Sequence, residues 1–551
     1  MNPKRLMRGL LFFSFLLSMM STSWLTGQGR SPQSGLDVLH YDFSLAIPDS
    51  GRTIDGLALI TVRRSQPVER LVLDLVGLRV DTVWVDHKQV EFERKPDVLD
   101  IPLTKSEGTQ FDTLLVAVRY GGEVNDGLII QADVKGRWYA FGDNWPTRAR
   151  FWLPSVDRPD DKATVTWNIT SPADCKVVAN GELIEEKSLP ATSGGRKQIL
   201  TRWATSKSIP TYLMVIAAGP LVAYDLGLTA RGLSEFPPGV RQLVYTVPEL
   251  ADYPPGPFKR AGEIVEFFAS TIAPFPYEKL AHVQSFTRYG GMENASAIFY
   301  ADEIFERRSQ DAGIIAHETA HQWFGDAVTP LSWGHLWLSE GFASYFEQLW
   351  VQQSEGTAAF RKGMQRLRDE IANSRVTYSR PVVDTLQTDY LRLLNTNSYQ
   401  KGAWTLHMIR SLLGDSLFFT GIRSYYAHHR HANATTDDLC RDFEEVSHAN
   451  LRWFFDQWLR RPGVPELSIG WSYDDALHRV TVDLAQNQRG GSYRFPLKVG
   501  VQTSDGRVLT LSLDVPARDS TKFQLPFDLA SKPLKVVFDP QVDLLASIRL
   551  K

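Results

Sequence analysis

The segment His317-Glu318-Thr319-Ala320-His321 constrains this chain more than any other. On an α-helix two imidazoles four residues apart share one face, because positions i and i+4 lie one above the other. So placed, they can bind one Zn²⁺, with the intervening Glu318 as general base. Asp311 stands where it can cap such a helix and Gly325 where it can end it. Five residues of this kind also occur as surface histidines on an amphipathic helix, so the neighbours decide. A catalytic zinc takes three protein ligands and keeps an open position. The next helical segment, Trp337-Leu338-Ser339-Glu340-Gly341-Phe342, offers Glu340 as the third. Between His321 and Glu340 lie residues 322–339, eighteen in all. That length lets the first helix end, a loop run through Pro330 and Gly334, and a second helix return its carboxylate to the metal. Glu347 lies two turns further along the same face. It reads either as an acceptor for a ligand histidine N–H or as a solvated helix glutamate.

The rest of the chain bounds the setting of this site. At 551 residues it exceeds what one hydrophobic core supports, and three domains are expected. Sixty basic against 63 acidic residues leave a net charge of -3, which offers no electrostatic case for nucleic acid or an anionic membrane. The two cysteines, Cys175 and Cys440, are too few for a thiolate zinc site and read as free buried thiols rather than a disulfide. At the N-terminus Lys4, Arg5 and Arg8 precede an apolar run over 9–20 that is short for a bilayer span, followed by Ser21, Thr22, Ser23 and Gly27. This pattern predicts a signal peptide over 1–27 and a secreted or periplasmic protein with no stable membrane span in the mature chain. The alternative is an anchor that stays uncleaved.

Short runs rich in β-branched residues at 38–47, 58–64, 71–75 and 114–120 predict an antiparallel β domain over 36–246. Pro254, Pro255, Gly256 and Pro257 mark a loop, 258–272 has helical spacing, and helical patterns dominate 311–459. A mainly α zinc domain is therefore expected over 247–462. After Pro462-Gly463-Val464-Pro465, alternation returns at 467–471, 478–484, 495–502 and 508–515, and predicts a C-terminal β-sandwich over 465–551. The fold class is multidomain α+β.

The zinc constellation resembles that of the aminopeptidase N family of zinc metallopeptidases, peptidase family M1. Gly290-Gly291-Met292-Glu293-Asn294 matches that family's Gly-x-Met-Glu-Asn motif, and Tyr399-Gln400-Lys401-Gly402-Ala403 its Tyr-x-Lys-Gly-Ala segment. Residues 454–458 with Pro462-Gly463, and Pro154, Asp157, Pro159 and Lys162, agree with it in order and spacing. The resemblance implies a thermolysin-like catalytic domain over 247–462, one zinc per chain and peptide substrates with a free N-terminus. It implies Tyr399 as hydroxyl donor to the oxyanion, Glu293 as carboxylate for the substrate ammonium, and Gly290, Gly291, Met292 and Asn294 as the wall along the substrate. Many relatives add an amine contact five residues before an Arg. Here that position is Trp145, and Asp143 or Asn144, shifted in register, could substitute for it. Asp326 stands where Asn is usual. The chain is expected to end before a helical domain that many members carry, which argues against the epoxide hydrolase activity of one branch.

Two rival readings share these residues. An endopeptidase would use the same zinc chemistry, and Glu293 in its motif argues against it. A non-catalytic scaffold would have lost ligands, whereas His317, His321, Glu340 and Glu318 are all present.

Overall fold

The computed structural model describes residues 33–103, 112–191, 195–251, 256–306 and 312–551. The expected signal peptide, Pro254, Pro255 and the capping Asp311 lie outside the described residues. The first domain is built on a nine-stranded sheet. Leu36–Ala46, Thr53–Arg64 and Asp112–Glu123 form its centre, and Ile54, Ala58, Ile60 and Val62 point from one strand into the core. That alternation is the period-two pattern of a half-buried strand. Pairing is antiparallel except between Leu36–Ala46 and Lys162–Pro172, which run parallel. A parallel neighbour needs a long crossover, and the chain between these two strands builds most of the remaining domain before returning. Trp152 and Trp167, both fully buried, stack at 5.6 Å and fill the interior.

The boundary expected at 246/247 falls inside a second sheet. Val222–Thr229 and Val240–Thr246 pair with each other, and Val240–Thr246 pairs in parallel with Lys279–Ser285. Lys279–Ser285 in turn runs parallel to Ala297–Ala301. These strands belong to the catalytic half. The signal that hides this is physical: Lys279–Ser285 is buried at every position. A parallel strand covered on both faces loses the alternation that marks a strand in sequence. Gly291–Met292 closes the sheet as a two-residue edge strand, antiparallel to Ala297–Ala301.

Three helices carry the site: α1 (Gly313–His321), α2 (Trp337–Glu355) and α3 (Gly402–Leu413). Helix α2 lies between the other two. At its crossing with α3, a Cβ on Gly341 would stand 2.8 Å from Gly402 Cα, and one on Gly402 would stand 2.9 Å from Gly341 Cα. Only paired glycines let the backbones meet this closely. The C-terminal region forms two facing sheets, one of four strands and one of three. It is tied to the helices by Arg368 on Asp539 at 2.6 Å and by His407 Nε2 on the Val542 carbonyl at 2.9 Å. Both cysteines are free; Cys440 is buried and Cys175 half-buried.

Gly341→Ala is therefore expected to force α2 and α3 apart. Overpacking of this kind costs about 1–3 kcal/mol, readable by denaturant unfolding. A change below about 0.5 kcal/mol, the usual range for a surface substitution, would mean that the crossing is looser than described.

Candidate metal centre and active site

Helix α1 places His317 and His321 on one face, with ring centroids 4.9 Å apart. The first turn of α2 brings Glu340 against them. Its Oε2 lies 3.4 Å from His317 Nε2 and 3.4 Å from His321 Nε2. Ligands at about 2.0–2.2 Å from a tetrahedral ion stand about 1.6 bond lengths, or about 3.3–3.6 Å, from one another. The three residues thus fit Zn²⁺ without rearrangement, and their ligand atoms all lie within 4.8 Å of one another.

The far side of each ring is also held. His321 Nδ1 faces the Phe324 carbonyl at 3.1 Å and Ser339 Oγ at 3.0 Å. A carbonyl only accepts, so in the neutral ring Nδ1 carries the proton and the Nε2 lone pair is left free for a metal. His317 Nδ1 lies 3.5 Å from Glu347 Oε2, on a Glu347 side chain that is partly exposed. Gly325, at φ +123°, brings this corner together: a Cβ there would lie 2.4 Å from Ser339 Oγ. Ser339 and Phe324 were not singled out in the sequence, because their part depends on the turn that folds 322–325 back over His321.

Glu318 projects from α1 toward Gly291. A Cβ on Gly291 would stand 2.2 Å from Glu318 Oε1, so the glycine leaves the room that the carboxylate occupies. Burial pushes the Glu318 carboxyl up to about 7, against the pull of His317 and His321. Burial also opposes charge on the two imidazoles, yet the carboxylates of Glu340, Glu347 and Glu293 hold both above their usual range. Metal binding needs neutral imidazoles and an ionised Glu340, so loading this site releases protons.

Glu293 joins the cluster from the sheet edge. Its carboxylate, that of Glu318 and a His321 ring nitrogen lie within 4.8 Å of one another. Tyr399 enters from a π-type turn at Asn397–Lys401, just before α3. Its hydroxyl donates to Glu340 Oε1 at 2.9 Å, and its ring stacks on His317 at 6.0 Å. Burial raises the Tyr399 phenol well above its usual range, so it stays protonated and can donate. The Gly341–Gly402 crossing explains the placement, since Glu340 and Tyr399 flank the point where α2 and α3 touch.

Asp143 is placed differently from these residues. It is buried and ion-paired with Arg148, and Arg288 Nε stands 3.5 Å from its other oxygen. Two guanidinium groups already face its charge. Asp157 accepts from Arg150 at 2.9 Å, and Lys162 Nζ donates to the Asp326 and Ala327 carbonyls, each at 3.0 Å. The run 428–431 ends a helix, where the His428 and His429 rings both bond Asp442.

Comparison with known proteins gives an independent view. Residues 258–458 match the Peptidase family M1 domain, and residues 38–213 match the Peptidase M1 N-terminal domain. The chain is 26% identical over 493 residues to a glutamyl aminopeptidase of Bitis rhinoceros, covering 84% of this chain and 50% of the relative. It is 26% identical over 493 residues to a probable aminopeptidase 1 of Sulfurisphaera tokodaii, covering 85% of this chain and 58% of the relative. The chain spans about half the length of the curated relatives it matches. Among solved structures it resembles an M1 zinc metallopeptidase from Deinococcus radiodurans, with TM-score 0.67, 26% identity, and coverage of 79% of this chain and 95% of that one. A mutant of that protein bound to a Tyr-Ser-Ala substrate superposes with TM-score 0.68 at 25% identity, over 80% of this chain and 98% of that one.

Purified protein is expected to carry one zinc per chain by elemental analysis. His317→Ala and Glu340→Ala should each lose it, because two remaining ligands do not make the site. Full zinc occupancy in both variants would place the metal elsewhere.

Proposed function

The chain belongs to peptidase family M1, and from that premise we propose that it is a zinc-dependent aminopeptidase that removes the N-terminal residue from peptides. His317, His321 and Glu340 hold the metal. A zinc ion there supplies Lewis acidity, which polarises a carbonyl and makes water acidic near neutral pH. The chain's own groups do the rest. Glu318 takes the proton of the attacking water and delivers it to the leaving amine. Tyr399 O–H, held beside Glu340, donates to the oxygen on which charge develops. Glu347 and Ser339 keep the ligand rings in orientation.

One observation carries the exopeptidase reading: Glu293 shares the cluster with Glu318 and His321. In an amino acid the nitrogen is two bonds from the carbonyl carbon, or about 2.5 Å. A group that recognises a free α-ammonium must therefore share a wall with the group that attacks the first peptide bond. Glu293 does, and its negative charge has no counterpart in an internal peptide. Beside it, the edge strand Gly291–Met292 has one open side, where an extended substrate can add main-chain hydrogen bonds. Gly290 extends that wall, while Asn294, next to Glu293, has no exposed surface.

Among the described residues no helix is long and apolar enough to cross a membrane. Export through the 1–27 segment belongs to the proposal, as do peptide partners rather than nucleic acid.

Glu318→Gln is expected to keep zinc and to lose about 10²–10⁴-fold in kcat, the range for a positioned general base. Gly291→Ala should fall in the same direction, since its Cβ takes the space of Glu318 Oε1. Near wild-type turnover in Glu318→Gln would assign water activation to another group.

An aminoacyl-anilide should be cleaved far faster than its N-acetylated form, and only while zinc is bound. Glu293→Gln should cut kcat/KM on the free amine by about tenfold or more, the worth of about 1.5 kcal/mol from a charge-assisted hydrogen bond. Equal cleavage of free and acetylated substrates by the wild-type protein would point to an endopeptidase instead.

A further inference from the structure

Glu293 is followed by a tight turn in which Ser296 adopts φ +62°. A left-handed residue other than glycine is costly, and the Gly291–Met292 edge strand pairs at only two positions. Something outside the turn must hold it. One side is held by Gln322, the residue after the ligand His321, with no exposed surface. Its Oε1 accepts from Ser296 N at 2.8 Å, and its Nε2 donates to the Glu293 carbonyl at 2.8 Å and to Asp326 Oδ2 at 2.9 Å. A single amide on the end of the metal-binding helix thus closes both ends of the 293–296 turn.

The other side is held from the N-terminal β domain. Asn180 Nδ2 donates to the Ala295 carbonyl at 2.7 Å and to the Leu213 carbonyl at 2.8 Å, while its Oδ1 accepts from Val215 N at 2.7 Å. Gly181 N donates to Ser296 Oγ at 2.8 Å. From the turn's own sheet, buried Lys279 Nζ donates to the Ser296 carbonyl at 3.0 Å and to the Ala179 carbonyl of the N-terminal domain at 2.9 Å. The turn is clamped between two domains, and the position of the Glu293 carboxylate relative to His321 and Glu318 follows from that clamp.

We propose that Gln322 is a positioning residue for recognition of the free amine, anchoring the Glu293 backbone to the metal-binding helix while Asn180 anchors the same turn to the N-terminal β domain. The inference rests on the reading of Glu293 as the ammonium contact. Gln322 touches neither substrate nor metal; it acts through the backbone that carries Glu293. A misplacement near 1 Å can cost about 10²-fold in an active site, so losing one anchor is expected to weaken amine recognition more than the chemical step.

The test compares the zinc-loaded wild-type enzyme with Gln322→Met, which keeps the length and removes the amide, and with Asn180→Ala, on the far side of the turn. Each is assayed on an aminoacyl-anilide and on its N-acetylated form, with zinc measured on the same samples. The expected result is unchanged zinc, KM for the free amine raised by about tenfold or more, kcat changed less than about threefold, and a free-to-acetylated ratio reduced by the factor seen in KM. KM and ratio within about twofold of wild type in both variants, or a loss confined to kcat, would overturn the proposal. If Gln322→Met does not fold or loses zinc, Asn180→Ala decides: a raised KM with full zinc supports the clamp, and an unchanged KM overturns it. A wild-type enzyme that shows no preference for the free amine overturns the aminopeptidase reading itself, and this inference with it. A wild type that prefers the free amine, with variants that retain the preference, overturns this inference alone.

Discussion

The structure turns on a charge imbalance that it buries. Glu293, Glu318 and Glu340 are buried, Glu347 stands behind His317, and only two imidazoles face them directly. Burying carboxylates without equal opposite charge is costly. A dication held by His317, His321 and Glu340, as proposed, would answer that cost, and the Nε2–Oε2 separations of 3.4 Å would suit it. Fold stability and chemistry would then draw on one interaction. The surrounding devices, a protonated Nδ1 on His321 and a glycine at Gly325, serve to keep the lone pairs aimed inward.

Close backbone approach is the second theme, and it explains glycines that the motifs contain. Gly341 and Gly402 let α2 and α3 touch, which brings Glu340 and Tyr399 within one hydrogen bond. Gly291 clears the space that Glu318 fills. Gly341 directly follows Glu340 and Gly402 comes three residues after Tyr399, whereas Gly291 is distant from Glu318 in sequence and meets it only through the fold. A Cβ at any of these positions would meet atoms under 3 Å away.

The third theme is that the site belongs to two domains. Lys162 of the first domain spends its ammonium on the Asp326 and Ala327 carbonyls, in the loop that follows the ligand His321. Asn180, Gly181 and Lys279 grip the turn after Glu293. Pro159 accepts from Asn433 at 2.8 Å on the catalytic side. The segment 154–162, a family pattern far from the metal in sequence, is thus part of the seam between domains. Asp326 sits buried in the same seam, bonded to Gln322. Its carboxyl is raised well above its usual range, chiefly by burial and then by Glu293.

By itself the sequence determined that His317 and His321 stand together, because 3.6 residues per turn makes them neighbours whatever surrounds the helix. It pointed to Glu340 as their companion through the length of 322–339, and to the three-part order of β, α and β through periodicity that survives wherever one face of an element is wet. The strands at 495–502 and 508–515 were legible to the residue for that reason. Tertiary structure alone decided the rest. The strands Lys279–Ser285 and Ala297–Ala301 were hidden because strands buried on both faces have no alternation to read. The pairing of Leu36–Ala46 with Lys162–Pro172 joins residues more than a hundred positions apart, which no local pattern records. The partner of Asp143 was likewise a matter of which guanidinium the fold brings near. Periodicity reports which face of an element is buried; what lies against that face is set by packing between segments distant in the chain.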